Sequence, residues 1–138
     1  MGLLVKGEWH TDWYDTESSG GEFVRTDAQY RNAIGDPEYP AEAGRYHLFV
    51  SLACPWAHRT LIFRKLKKLE DIIGVTVVDA EMLEHGWVLS DKESLKHGYQ
   101  VCPIPGIQYM YEVYTTQQKD YSGRVTVPVL WDKKTNTI

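Results

Sequence analysis

Cys54 lies in the run Ser51-Leu52-Ala53-Cys54-Pro55-Trp56-Ala57-His58-Arg59-Thr60. A strand-like run, Arg45–Val50, precedes it and a helix-like run, Leu61–Leu69, follows. A thiol at a strand-to-helix junction meets free backbone N–H groups and the positive end of the helix dipole. Such a setting lowers a thiol from about 8.5 to roughly 3.5–7.5 in pKa. Pro55 suits the first helical turn, where a missing N–H costs nothing. His58 and Arg59 fall close to the same turn, where either adds positive charge near the sulfur. A buried, inert cysteine is the alternative; Cys-Pro at a helix start favours the reactive thiol. Ala57 stands where a Cys-x-x-Cys motif has its second cysteine. The expected chemistry is therefore monothiol, with a second thiol arriving from outside.

Several elements must hold that sulfur. Tyr46–Val50 lacks breakers and suits a buried strand. Ala57, Leu61, Ile62, Lys65, Leu66 and Leu69 recur at helical spacing. Ile72–Asp79 is β-branched and short, a second strand. Strand, helix and strand in this order predict a βαβ unit with parallel pairing. Residues 80–89 read as a loop carrying an exposed Trp87, and 90–106 as a loop or insertion. Ile107, Met110, Tyr111 and Tyr114 predict a second helix over 107–118. Val125–Trp131 reads as a third strand, Lys133–Asn136 as a hairpin turn and Thr137-Ile138 as the start of a fourth strand. The pattern is α/β and thioredoxin-like. In that fold Val127-Pro128 abuts the cysteine in cis, and the backbone of Val127 can pair with an extended peptide. Arg124 offers a planar fork suited to a carboxylate.

Residues 1–44 form an aromatic-rich N-terminal extension ahead of a domain at 45–138. Trp9, Trp13, Tyr14, Phe23 and Tyr30 are expected to pack it on that domain, with a short helix near Asp27–Ile34. A lid over the active site is the other reading of this arm.

The balance of charges bounds the function. A net charge of −4 with no basic stripe argues against nucleic acid. No apolar run approaches the roughly 20 residues of a membrane helix. The opening Met1–Lys6 is too short for a secretory signal, and Lys6 departs from the myristoylation pattern. Two cysteines, Cys54 and Cys102, make no disulfide framework, which fits a reducing cytoplasm. Cys102 reads as a loop or buried thiol, or as a resolving partner for an oxidised Cys54. His10, His47, His85 and His97 show no metal spacing with the cysteines, so no metal is assigned.

The Ser51–Thr60 run resembles the active-site signature of the glutathionyl-hydroquinone reductases, the xi class of glutathione transferases. The likeness extends through Gly7-Glu8-Trp9-His10, Trp13-Tyr14-Asp15-Thr16, Gly20-Gly21-Glu22-Phe23, Glu84-His85-Gly86-Trp87 and Ser122–Asp132. It implies Cys54 as the catalytic residue, with Pro55 and His58 supporting its thiolate. It implies a glutathione site at Trp87, Arg124, Val125, Thr126, Val127 and Pro128. Glutathione is then the co-substrate and glutathionylated hydroquinones the other partner. The full-length protein is expected to be a homodimer. The resemblance also implies an acidic Glu-Ser glutathione element, a closing helix and an all-α domain beyond Ile138. The chain is accordingly expected to be an N-terminal piece, weakly active or inactive alone. A glutaredoxin-like or dehydroascorbate-type thiol reductase, or a non-catalytic binding domain, are the rival readings.

Overall fold

The structure, a computed structural model, describes residues 2–12, 17–22, 24 and 27–138. Its elements are β1 (Leu3–Val5), β2 (Glu8–His10), β3 (Tyr46–Val50), α1 (Pro55–Leu66), β4 (Gly74–Val77), α2 (Asp91–Lys96), α3 (Met110–Gln117), β5 (Gly123–Arg124) and β6 (Val129–Asp132).

Strand β3 is buried along its whole length because it is the middle strand of the sheet β4-β3-β6. It pairs parallel with β4, His47 opposite Gly74 and Val50 opposite Val77. It pairs antiparallel with β6, Tyr46 opposite Asp132 and Phe49 opposite Val129. Side chains alternate across the strand. Leu48 and Val50 join Ala57, Val75 and Val77 in one apolar cluster on the α1 side. Phe49 joins Met110, Val113, Val129 and Trp131 in the larger cluster under α3. The predicted βαβ unit and thioredoxin-like order are thus present. The expected turn after β6 is present too, with Asp132 bridging antiparallel to Thr137.

Four expectations are corrected. Residues 91–96 are not loop but the helix α2. Ser90 Oγ accepts from the Glu93 N–H at 3.1 Å, and Asp91 and Glu93 sit in the first turn, where the helix dipole favours them. Buried Ser94 ties α2 to β4, its hydroxyl accepting from Val77 N–H at 2.7 Å and donating to the Val77 carbonyl. No helix forms over Asp27–Ile34. That stretch is instead tied down by Gln29 Nε2 donating to the Ser122 carbonyl and by Tyr30 stacked on Tyr121 at 5.8 Å. Trp87 is half-buried, packed on the larger cluster rather than exposed. The third strand begins at Val129, not Val125. Ahead of it the Thr126 backbone is satisfied by a side chain, donating its N–H to the Tyr114 hydroxyl and accepting that hydroxyl at its carbonyl.

Strands β1 and β2 were not foreseen. They form a hairpin through Lys6-Gly7, both at positive φ, a backbone that glycine adopts without cost. The hairpin adds to β5, Leu3 opposite Arg124, and carries Leu4 fully into the larger cluster. Trp9 stacks on Tyr111 at 4.9 Å. The packing expected of Trp13, Tyr14 and Phe23 falls outside the described residues.

His47 is 2% exposed, and its Nε2 lies 2.7 Å from Thr76 Oγ1. Burial, with the charges of Lys133 and Arg64, pushes it down to about 4. The unfolded chain, at about 6.5, takes up the proton first. Stability is therefore whole above pH ~6.5 and declines as the pH falls from there toward 4. Chemical denaturation of the wild type and of His47→Gln across this range should show a shallower decline in the variant. Parallel curves would mean that His47 does not carry the effect.

Candidate active site around Cys54

The turn between β3 and α1 is built by Ser51. Ser51 is fully buried. Its hydroxyl accepts the Ala53 N–H at 3.2 Å, and its carbonyl accepts the Cys54 N–H at 3.1 Å. A serine that bonds the backbone two residues on makes a tight turn without glycine. The reading of the sequence did not single Ser51 out, though a serine at the end of a strand was a signal for it. Cys54 is the residue that precedes the helix, with φ −95° and ψ 117°, and Pro55 occupies its first position. The Cys54 carbonyl accepts the His58 N–H at 2.9 Å, the first rung of α1.

Cys54 is partly buried and touches both apolar clusters. Its thiol donates to the Val127 carbonyl at 3.5 Å. The Val127–Pro128 bond is cis, as expected. The sulfur therefore faces the main chain that the sequence singled out for pairing with a peptide. Trp56, half exposed, stands beside the sulfur's residue with the Arg59 guanidinium 4.6 Å above its ring.

The other predicted residues divide. Arg124, Thr126 and Pro128 border a cleft of about 580 Å³ that also meets Trp56, Tyr30 and Ile138. The cleft runs beside β6, an edge strand of its sheet. Arg124 Nη2 donates to the Val24 carbonyl at 3.3 Å. Val125 and Val127 turn their side chains into the larger cluster, so only their backbones are available to a ligand. Trp87 also packs on that cluster, and its carbonyl accepts the Met110 N–H at 2.9 Å. His58 is exposed and lines a separate depression with Leu52, Leu61 and Tyr99, which Cys54 does not border. Cys102 sits elsewhere, its thiol donating to the Ile104 carbonyl at 3.6 Å. Burial pushes that thiol up. Among the described residues no group of His, Cys, Asp and Glu side chains is placed to hold a metal ion.

Comparison with known proteins agrees with this geometry. The model of the glutathione S-transferase N-terminal domain matches residues 53–138. The chain is 51% identical to the glutathionyl-hydroquinone reductase PcpF of Sphingobium chlorophenolicum, over 96% of this chain and 41% of that protein. It is 49% identical to the glutathionyl-hydroquinone reductase YqjG of Escherichia coli, over 100% of this chain and 44% of that one. A xi-class glutathione transferase from Natrialba magadii superposes with a TM-score of 0.80 at 42% identity, covering 99% of this chain and 40% of the other. The glutathione-bound structure of YqjG superposes with a TM-score of 0.72 at 43% identity, covering 97% and 40%. The chain thus spans about two fifths of the length of the curated relatives it matches. With its βαβ order, its thiol at the start of α1 and these likenesses, the chain belongs to the glutathione S-transferase N-terminal domain family.

Proposed function

We propose that this chain carries the thiol chemistry of a glutathione-dependent reductase that strips glutathione from glutathionyl-hydroquinones. The observation that carries the reading is the contact between the Cys54 thiol and the Val127 carbonyl at the start of α1. It puts a nucleophilic sulfur beside a main chain that can pair with a tripeptide. The Cys54 thiolate attacks the glutathione sulfur of the substrate. The carbon–sulfur bond breaks, and the ring carbon takes the electron pair and a proton. The ring is reduced by two electrons and leaves as the hydroquinone, while the two sulfurs become a mixed disulfide. A second glutathione thiolate then attacks that disulfide, releasing oxidised glutathione and the Cys54 thiolate.

In this reading the backbone of Val127 aligns the tripeptide, Arg124 pairs with one of its carboxylates and Trp87 covers it. Pro55 holds the helix start against the sulfur. The exposed position of His58 and its separate depression favour the helix terminus over that imidazole as the support of the thiolate. Both cysteines are free thiols, which suits a reducing compartment such as the cytoplasm. The same reading includes pairing of two copies of the full-length protein, measurable by light scattering.

The test supplies a glutathionyl-hydroquinone and glutathione to the chain. Release of hydroquinone and a glutathione adduct on Cys54, followed by mass spectrometry, are the expected results. A glutathionylated peptide offered in parallel distinguishes a general thiol reductase, which would turn it over as fast. No adduct on Cys54 with either substrate would defeat the reading.

A further inference from the structure

The turn that leads into Trp87 is held from outside. Leu83 and Gly86 bridge antiparallel, with Gly86 N–H donating to the Leu83 carbonyl at 3.0 Å. The side chains of this turn bury little: Leu83 is 65% exposed, and Glu84 and His85 are also exposed. A turn that buries so little of itself gains little stability from its own contacts. It is held by a row of four rings, the first pair tilted and the other two pairs stacked. His85 lies 4.6 Å from Tyr109, Tyr109 lies 5.2 Å from Tyr111, and Tyr111 lies 4.9 Å from Trp9. The row starts inside the turn, at His85. It returns to the turn at its other end, where Trp9 Nε1 donates to the Glu84 carbonyl at 3.0 Å. The Trp9 ring also closes over Gly86, at φ +68°, where an added β-carbon would stand only 3.0 Å from the indole. Two consecutive turn residues are thereby gripped by opposite ends of one aromatic row. The residue after the gripped glycine is Trp87.

We propose that Trp9, on β2 of the N-terminal hairpin, is a positioning residue for the glutathione site: it clamps the Leu83–Gly86 turn and so, together with the Met110 N–H on the Trp87 carbonyl, sets where Trp87 stands. The proposal rests on the reading of Trp87 as a wall of that site. The hairpin is then part of the binding apparatus through the turn it grips, without touching the tripeptide. A Trp9 variant weakens capture of glutathione while the chemistry at Cys54 persists, because Cys54 is held by Ser51, α1 and Val127, which the turn does not carry.

The experiment uses oxidised glutathione as the probe. Its reaction with Cys54 forms the mixed disulfide and releases one glutathione thiolate. The rate is followed against probe concentration in the full chain, in Trp9→Phe, in Trp9→Leu and in both Trp9 variants combined with Trp87→Ala. Iodoacetamide, which needs no tripeptide site, reports the thiol itself. Trp9→Leu should raise the half-saturating concentration about tenfold, with the limiting rate and the iodoacetamide rate unchanged. Trp9→Phe keeps a ring on Tyr111 and loses the hydrogen bond to Glu84, so a smaller rise is expected, about threefold. In the Trp87→Ala background neither Trp9 change should add a further rise. Unchanged half-saturation in Trp9→Leu, a parallel fall in iodoacetamide rate, or full additivity with Trp87→Ala would each overturn the proposal. If Trp9→Leu does not fold, Trp9→Phe decides, and a wild-type half-saturation in it is the negative result. A wild type that does not saturate with the probe defeats the glutathione reading itself, an outcome distinct from a saturating wild type matched by its variants.

Discussion

Exchange of Cys54 for serine should stop hydroquinone release, lowering the rate by roughly 10³-fold or more. A serine hydroxyl is not a thiolate and forms no disulfide with the glutathione sulfur, so neither half of the cycle can run. Binding should survive, because Val127, Arg124 and Trp87 are held by other elements. Tyr114 fixes the main chain at Thr126, and Met110 fixes the Trp87 carbonyl. Cys102→Ser is the matched control and should turn over like the wild type. The Cys102 thiol is pushed up by burial and donates to the Ile104 carbonyl, so it is a poor nucleophile in place. Mixed-disulfide formation by mass spectrometry, glutathione binding by calorimetry and hydroquinone release together check this. Turnover retained in Cys54→Ser but lost in Cys102→Ser would move the chemistry to the other sulfur.

The largest stability effect is expected at Asp132. Asp132→Ala should lower Tm by about 10–20 °C. Asp132 is 2% exposed at the end of β6. Arg45 Nε donates to Oδ1 at 2.9 Å and to Oδ2 at 3.0 Å, with Nη2 adding a further bond to Oδ2. Lys134 N–H donates to Oδ1 at 2.9 Å and Thr135 Oγ1 to Oδ2 at 2.8 Å. Loss of the carboxylate leaves a buried guanidinium without its main counter-charge and leaves the turn after β6 without its acceptor. The hydrogen bonds from Arg45 hold this carboxyl well below the usual carboxylate range, against the opposing effect of burial. Its folded pKa is thus depressed. The stability it confers is present above the unfolded value near 3.9 and is lost as the pH falls below it. Thermal unfolding at neutral pH measures the first effect, and the difference between wild type and variant should shrink toward pH 3. A Tm loss under about 3 °C at neutral pH would show that the pair adds little.

Much of the site was legible because its signals are local. Cys54-Pro55 after a strand-like run marks a helix start, and the hydrogen bonds that make that start run between residues two to four apart. The periodicity of Ala57, Leu61 and Leu66 placed α1. The β-branched run after Leu69 placed β4. Helix α2 was missed although Ser90-Asp91-Lys92-Glu93 carried the capping signal, because its short length left no apolar periodicity to read.

Residue types and short spacings by themselves determined where the thiol sits and which elements flank it; that Val127-Pro128 faces it across 73 residues was implied by the thioredoxin-like order of those elements. Only the tertiary structure decided which side of the chain each neighbour shows. Val125 and Val127 turn inward because the larger cluster needs their side chains, and Thr126 gives its backbone to the Tyr114 hydroxyl twelve residues away. Trp9 reaches Glu84 across 75 residues, and Arg45 reaches Asp132 across 87. The hairpin of β1 and β2 finds its place against Gly123 and Arg124, more than a hundred residues along the chain. Contacts between distant residues leave no period in the chain. They are selected by which buried polar groups and apolar faces can be satisfied together once the sheet has closed.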